Sequence, residues 1–265
     1  MILISNDDGA AAPSLGPLVR ALAKLDDVRV AVPDAERSWI GKAISRFETV
    51  TTRRVAESGI ESVLVSGTPA DSVNLGVHSL WPEPPDLVVS GVNIGLNVGA
   101  AFFLSSGTVG AALEAGIAGV PALAFSVGLP DDDRDWKARC RDPEFAPVWD
   151  RAAALASALT QRVCELGFPE GVDLLNVNFP LEAGISTPRV VTRVALVGYR
   201  ALFNETGEGR YEHAYSGGVT ATESELAGSD VAAVRAGQVS ISAVRLFGET
   251  KLNSEFAREI CALDD

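Results

Sequence analysis

Two adjacent aspartates near the start of the chain carry the strongest chemical signal in this sequence. Asp7 and Asp8 follow a short apolar run at residues 2–5 and precede Gly9. Adjacent side chains on a regular strand point to opposite faces, so both carboxylates can meet one ion only where the chain has left the strand, and Gly9 permits that turn. Two close carboxylates repel, and a divalent cation relieves the repulsion. The pair predicts a metal site; the alternative is that one aspartate caps the next helix while the other is solvated.

Four further polar or glycine-rich turns follow other predicted strands. They span residues 33–38, 66–71, 90–99 and 106–110. The first two are also compatible with ordinary turns that cap helices, whereas the third offers asparagine oxygens beside glycines that let a ligand approach the backbone. The fourth opens an Ala/Gly-rich helix, whose free N–H groups and positive dipole end form an anion site. Because ligands collect beyond the carboxyl ends of parallel strands, the five loops together predict one site.

The chain contains only two histidines that could act in acid–base catalysis. The two histidines are His78, in a predicted helix, and His213, in a polar segment, and we expect both to lie outside the site. The sequence contains no GxSxG, HExxH or GxxxxGK[ST] motif. A reaction would therefore depend on a metal-bound water, and the available oxygen ligands suit Mg²⁺ or Mn²⁺ better than Zn²⁺.

Strand and helix patterns alternate through the first 180 residues. Apolar runs predict strands at residues 2–5, 28–32, 61–65, 87–90, 121–126 and 174–177. Helical spacing or a favoured first-turn proline predicts helices at residues 13–25, from Pro69, at 108–118 and at 148–166. Such alternation predicts an α/β fold with a mainly parallel sheet between two helical layers.

The pattern changes after Pro180. Residues 190–196 and 239–244 resemble strands, and the Gly-, Glu- and Ser-rich stretch between them has no clear helical period. We predict a catalytic core at residues 1–180 and a C-terminal extension at 181–265 that completes the core and carries a β-hairpin. The acidic run at residues 131–135 is expected to be a solvated loop.

Composition excludes several classes of function. The 265 residues include 22 Lys+Arg against 35 Asp+Glu, a net charge of −13 that disfavours a nucleic-acid polymer as partner. Three widely spaced cysteines, Cys140, Cys164 and Cys261, match neither a disulfide framework nor a zinc site. No signal-peptide pattern is present and no apolar run reaches the roughly 18 residues of a membrane helix, so we expect a cytoplasmic protein with no membrane partner.

Several of these motifs, in this order, resemble the SurE (survival protein E) nucleotidase family. They are SNDDG at residues 5–9, APD…RS at 31–38, GTPAD at 67–71, SGVNIGLN at 90–97, SGTVGAALEAG at 106–116 and LLNVNFP at 174–180. The resemblance implies a metal-dependent phosphatase that acts on nucleoside 5′- and 3′-monophosphates. It also implies a Rossmann-like α/β/α core with a C-terminal hairpin used in dimer formation, hence a homodimer or homotetramer.

The resemblance also implies roles for individual residues. One divalent cation per subunit would be held by Asp7, Asp8, Ser38 and Asn93. Phosphate would be bound by Asn97, Ser106, Gly107 and Thr108. The residues expected to take part in catalysis are Asp7, Asp8, Asn97 and Ser106.

The chain departs from the family pattern at the rim of the expected site. Trp39 stands where the family usually has glycine, Ala100-Ala101 replaces an acidic pair, and Ser105 replaces a tyrosine. Trp39 is expected at the substrate, where an indole either stacks on a nucleobase or fills its pocket. These departures keep two alternatives open: a phosphatase for another small phosphate ester, and a catalytically weak nucleotide-binding or structural dimer. A dinucleotide-binding dehydrogenase is disfavoured because Asp7-Asp8 occupies the place of its glycine-rich turn.

Overall fold

A nine-stranded, mainly parallel sheet forms the centre of the molecule. The computed structural model describes residues 1–57, 60–129, 139–199, 201–214, 221–246 and 248. The sheet strands are β1 (Ile2–Ser5), β2 (Val28–Pro33), β3 (Thr52–Glu57), β4 (Ile60–Val65), β5 (Leu87–Ile94), β6 (Ala122–Val127), β7 (Leu174–Phe179), β8 (Arg189–Thr192) and β11 (Val239–Val244). Their order is β3-β4-β2-β1-β5-β6-β7-β11-β8. The six strands from β4 to β7 are parallel, while β3 and β11 are antiparallel to their neighbours β4 and β7.

Helices cover both faces of this sheet. The α-helices of the described residues are α1 (Leu15–Leu22), α2 (Pro69–His78), α3 (Gly99–Ser105), α4 (Gly107–Ile117), α5 (Ala146–Leu166), α6 (Glu223–Leu226) and α7 (Asp230–Arg235). Alternate residues of β1 face opposite layers: Ile2 and Ile4 join the core beneath α1 and α5, and Leu3 joins the core beneath α2 and α4. This two-sided burial confirms the predicted three-layer α/β/α fold.

The point where the chain reverses direction across the sheet lies at β1. Strand β1 pairs with β2 on one side and with β5 on the other, with Ser5 opposite Ser90. The chain builds β2 and β4 on the first side before it returns to β5. The loops that leave the carboxyl ends of β1 and β5 therefore diverge and open a crevice between them.

The C-terminal part of the chain extends the same sheet. Strand β11 pairs antiparallel with β7 and parallel with β8, so two strands from beyond residue 180 complete one edge. Two further strands, β9 (Phe203–Gly207) and β10 (Arg210–His213), form the predicted antiparallel hairpin as a separate sheet. The division at residue 180 stays a prediction.

Some elements differ from the sequence prediction. Strand β3 was not predicted, because its sequence TRRVAE lacks an apolar alternation and lies at the sheet edge, where exposed polar side chains are tolerated. Helix α3 was not predicted because it begins inside the glycine- and asparagine-rich loop. Within the described residues no single helix is long and apolar enough to span a membrane; α3 and α4 meet that test only together, across a 73° bend. The acidic run at 131–135 lies outside the described residues.

Candidate active site

The turn after β1 carries both aspartates away from the strand. The buried Asn6 side chain closes this turn: its Nδ2 donates to the Gly9 carbonyl at 3.0 Å, and the Gly9 N–H donates back to Oδ1 at 3.1 Å. Gly9 has φ +81°, and a Cβ there would lie 3.0 Å from the Ala35 carbonyl carbon. Helix α1 has Ser14 at its N-cap, so the alternative in which an aspartate caps it is wrong.

Asp7 is a deeply buried carboxylate held by the first turn of α4. The hydroxyl and the backbone N–H of Thr108 both hydrogen-bond its side chain, and the Arg37 N–H donates to its backbone carbonyl at 2.7 Å. A Cβ at Gly107 would lie only 2.6 Å from Asp7 Cβ, so glycine is required for this approach. Burial raises the pKa of the Asp7 carboxyl, and the two bonds from Thr108 oppose that rise.

The remaining predicted metal ligands are oxygen donors of three kinds. Asp8 is half-buried and accepts the Ile94 N–H at 3.3 Å. The Asn93 amide nitrogen donates to the Gly95 carbonyl at 2.7 Å, which leaves Oδ1 as the atom for a cation. The Ser38 hydroxyl donates to Glu36 Oε1 at 2.7 Å and keeps its oxygen lone pairs.

Such a donor set fits a hard divalent cation. Two carboxylates, an amide carbonyl and a hydroxyl are the ligand types that Mg²⁺ and Mn²⁺ prefer. In the part of the chain that the structure describes, no three His, Cys, Asp or Glu side chains form a group that could hold a metal. The neutral oxygen donors predicted to accompany the two carboxylates are those of Ser38 and Asn93.

A pocket of about 580 Å³ opens at this point, a size typical of small-molecule sites. Six of the predicted site residues line it: Asp7, Ser38, Trp39, Asn93, Asn97 and Ser106. Its other lining residues are Ile94, Gly95, Leu96, Phe102, Ser105, Leu129 and His213. The structure thus brings together most of the predicted set, while Asp8, Gly107 and Thr108 lie beside the pocket rather than on its wall.

Three polar side chains of β6 and β7 hold Asn97 in place. Its Nδ2 donates to Ser126 Oγ at 2.8 Å, its backbone N–H donates to Asn178 Oδ1 at 2.8 Å, and Asn176 Nδ2 donates to its carbonyl at 3.0 Å. Ser106 is the N-cap of α4 and accepts the Val109 N–H at 3.1 Å. The Ser106 hydroxyl proton is therefore available to a ligand, because the cap uses only its oxygen.

The segment that carries Ser38 and Trp39 is bound tightly to α4. The Gly41 N–H donates to the Ser105 carbonyl at 2.9 Å, and Lys42 Nζ lies 2.5 Å from the buried Glu114 carboxylate. A Cβ at Gly110 would overlap the Gly41 carbonyl oxygen. The site's outer loop is thus held by backbone contact that only glycine permits.

Trp39 lies in an aromatic cluster at the pocket mouth. Its ring centroid is 5.0 Å from His213 and 5.7 Å from both Phe102 and Tyr199. The residue adopts φ +60°, a left-handed conformation that costs a non-glycine residue about 1–2 kcal/mol. Aromatic contacts worth about 0.5–1.5 kcal/mol each offset that cost. The backbone conformation also explains why glycine suits this position.

The expectation that both histidines lie outside the site is wrong for His213. Its ring lines the pocket, because the β9–β10 hairpin places the end of β10 against Trp39. His78, at the end of α2, is exposed and does not line the pocket. No local pattern marks His213, which is separated from Trp39 by most of the chain.

The described part of the pocket wall carries no positive side chain. Among the described residues that line it, none is lysine or arginine. The nearby Arg37 guanidinium instead donates to the Ser66 carbonyl at 2.9 Å. The described lining residues that could bind an anionic ligand directly are therefore neutral hydrogen-bond donors such as Asn97 and Ser106.

These features define a class: Rossmann-like α/β proteins whose ligand site, rich in oxygen donors, lies where the strand order reverses. A family model described as "Survival protein SurE" matches residues 2–201, and the chain belongs to the SurE family. The 5′-nucleotidase SurE of Methanothrix thermoacetophila is 37% identical over 254 residues, which cover 95% of each chain. That of Archaeoglobus fulgidus is 36% identical over 245 residues, 92% of this chain and 91% of the relative. The crystal structure of the SurE protein from Aquifex aeolicus matches with a TM-score of 0.74 and 29% identity, covering 100% of this chain and 99% of that chain.

Proposed function

We propose that this chain is a divalent-metal-dependent phosphomonoesterase that hydrolyses nucleoside 5′- and 3′-monophosphates with a metal-activated water. One observation carries the proposal: a buried carboxylate, Asp7, lies at the polar end of a pocket whose other end is aromatic. A nucleoside monophosphate likewise has a polar phosphate at one end and an aromatic base at the other. The names of the relatives as 5′-nucleotidases support the same substrate class.

Asp7, Asp8, Ser38 and Asn93 would hold one divalent cation per subunit, Mg²⁺ or Mn²⁺. When bound, such an ion polarises the phosphate and lowers the pKa of a coordinated water. The Thr108 hydroxyl donates to Asp7 and would orient this carboxylate in the apo protein before a cation binds. Asp8, which is half-buried and accepts the Ile94 N–H at 3.3 Å, would orient the attacking water.

The opposite wall would bind the phosphoryl oxygens. Ser106 offers its hydroxyl proton, and Asn97 is held by β6 and β7 so that its side chain keeps one orientation. Thr108 uses its hydroxyl and N–H on Asp7, so at the start of α4 the donors for phosphate are Ser106 and the Gly107 N–H. Donors fixed before the reaction stabilise the charge that develops in the transition state.

We further propose a homodimer or homotetramer in the cytoplasm, with the β9–β10 hairpin as the dimerisation element. The hairpin shares no ladder with the main sheet, so exchanging it between subunits would break no strand pairing of the core. The net charge of −13 supports a small-molecule substrate over a nucleic-acid polymer. Gel filtration with light scattering would test the assembly.

A second candidate, a phosphatase for another small phosphate ester, is favoured by one observation. Trp39 lines the pocket in place of the family's glycine, and an indole is large enough to fill the space of a nucleobase. Substrate preference separates this candidate from the first.

The decisive experiment is phosphate release from a panel of nucleoside monophosphates and small phosphate esters. We expect release from nucleotides that stops in EDTA and returns when Mg²⁺ or Mn²⁺ is added. Asp8→Asn, at a proposed metal ligand, should lose this release. Its matched control is Asp34→Asn, at an exposed aspartate in the neighbouring turn that does not line the pocket, and this control should behave as wild type. Turnover that resists EDTA would contradict the metal, and preference for non-nucleotide esters would favour the second candidate.

A further inference from the structure

We propose that His213 is a specificity residue: with Trp39 it forms a corner of two rings that binds the aromatic part of the leaving group. This inference rests on the proposed function, because it names what the outer half of the same pocket recognises. It assigns a role in substrate selection to the β9–β10 hairpin, the element that carries His213.

The pocket is divided into two ends of different chemistry. The inner end presents the oxygen donors Asp7, Ser38 and Asn93, which suit a cation and a phosphate. The outer end presents Phe102 beside the Trp39 and His213 rings. The rings at this end can bind the outer part of a ligand by ring contact and dispersion.

The two rings meet at an angle that suits a planar ligand. The Trp39 and His213 planes are inclined at 66° with centroids 5.0 Å apart. A flat ring that stacks on one of them therefore meets the edge of the other, which is the favourable edge-to-face geometry. The imidazole also brings ring nitrogens that can donate to or accept from the polar edge of a nucleobase.

Neighbouring aromatic residues hold the His213 and Trp39 rings in place. Phe203, its partner across the hairpin, contacts it edge-on with centroids 5.9 Å apart and planes at 84°. Trp39 in turn is supported by Phe102 and Tyr199. The corner is thus built before any ligand arrives, and a pre-formed site costs less ordering on binding.

The test is the ratio of kcat/KM for adenosine 5′-monophosphate to that for glycerol phosphate, which has a phosphate but no ring. His213→Ala should lower this ratio by about tenfold or more, in line with the loss of one stacking contact. His213→Phe keeps the ring without its nitrogens and should hold the ratio within about threefold of wild type. His78→Ala, at the protein's other histidine, is the matched control.

Two results would overturn the proposal. A ratio unchanged in His213→Ala would show that the ring does not contact the leaving group. An equal fall of both kcat/KM values in His213→Ala and His213→Phe would indicate proton transfer by the imidazole instead. Far-UV circular dichroism of each variant checks that the fold is kept.

Adenosine binding gives a readout that needs no turnover. Calorimetric titration with adenosine, which lacks phosphate, should detect binding to wild type that is lost in His213→Ala and in Trp39→Gly. If no ester is hydrolysed but this binding pattern holds, the proposed function fails, whereas the binding of an aromatic ring at the His213–Trp39 corner stands. If esters are hydrolysed but both variants bind adenosine like wild type, or Trp39→Gly raises the kcat/KM ratio, the inference fails and the proposed function stands.

Discussion

Thr108→Val removes one hydroxyl that the proposed metal site depends on and changes little else. Thr108 is fully buried, and its hydroxyl donates to Asp7 Oδ1. Valine has nearly the same shape, so the first turn of α4 should keep its packing. The Asp7 carboxylate would then keep the hydrogen bonds from the backbone N–H groups of Asp7 and Thr108, in an environment whose burial already raises its pKa.

The size of the effect follows from the kind of bond that is lost. A hydrogen bond to a charged group contributes about 1.5–3 kcal/mol. Because the bond is already present without metal, only the part of it that favours the cation-bound state is lost, and the full value is an upper limit. Since about 1.4 kcal/mol corresponds to a factor of ten, the Mn²⁺ concentration for half-maximal activity should rise by more than about threefold and at most about 150-fold. The defect should grow as pH falls, because loss of the donor raises the pKa of Asp7 further and a proton then competes with the cation.

The assay is phosphate release from adenosine 5′-monophosphate against Mn²⁺ concentration, with calorimetric Mn²⁺ binding as the independent measurement. Thr160→Val is the matched control: Thr160 is equally buried, and its hydroxyl donates to the Ala156 carbonyl at 2.8 Å within α5. It should leave the metal requirement unchanged. A Thr108→Val requirement within about threefold of wild type, or an equal shift in Thr160→Val, would refute the reasoning.

Three further predictions address the same site and its support. Asp8→Asn should lower phosphate release by at least about 10²-fold, because the proposed cation loses a charged ligand. The variant should melt no lower than wild type, because the two carboxylates no longer repel. Near-normal turnover in EDTA would contradict the metal assignment. Burial raises the folded-state pKa of Asp7 above its unfolded value, so in EDTA the wild type should lose stability as pH rises between those values. In urea unfolding, the stability of Asp7→Asn should not fall over this pH range. An equal fall in the variant would show that another group causes it. Gly110→Ala, which overlaps Gly41, should destabilise by about 1–3 kcal/mol, whereas Gly16→Ala, which meets only the flexible Arg20 side chain, should gain up to about 1 kcal/mol in a melting experiment.

The sequence by itself determined the local features of the site. The start of α2 at Pro69 was predictable because Thr68 and Asp71 cap it within one turn. The departure of Asp7 from the strand was predictable because Gly9 is adjacent and permits the turn. These features depend on contacts between residues a few positions apart, and such contacts leave a pattern of residue types and spacing in the sequence.

Only the tertiary structure decided which distant side chains meet. The bond from Thr108 to Asp7 spans 101 positions, and it joins a residue expected to bind phosphate to a carboxylate expected to bind the metal. The place of His213 against Trp39 depends on how a two-stranded hairpin outside the main sheet packs back onto the pocket. No periodicity or cap encodes such an approach. The packing of the hairpin and its ring contacts decide that His213 meets Trp39. Such long-range contacts leave no local pattern in the sequence.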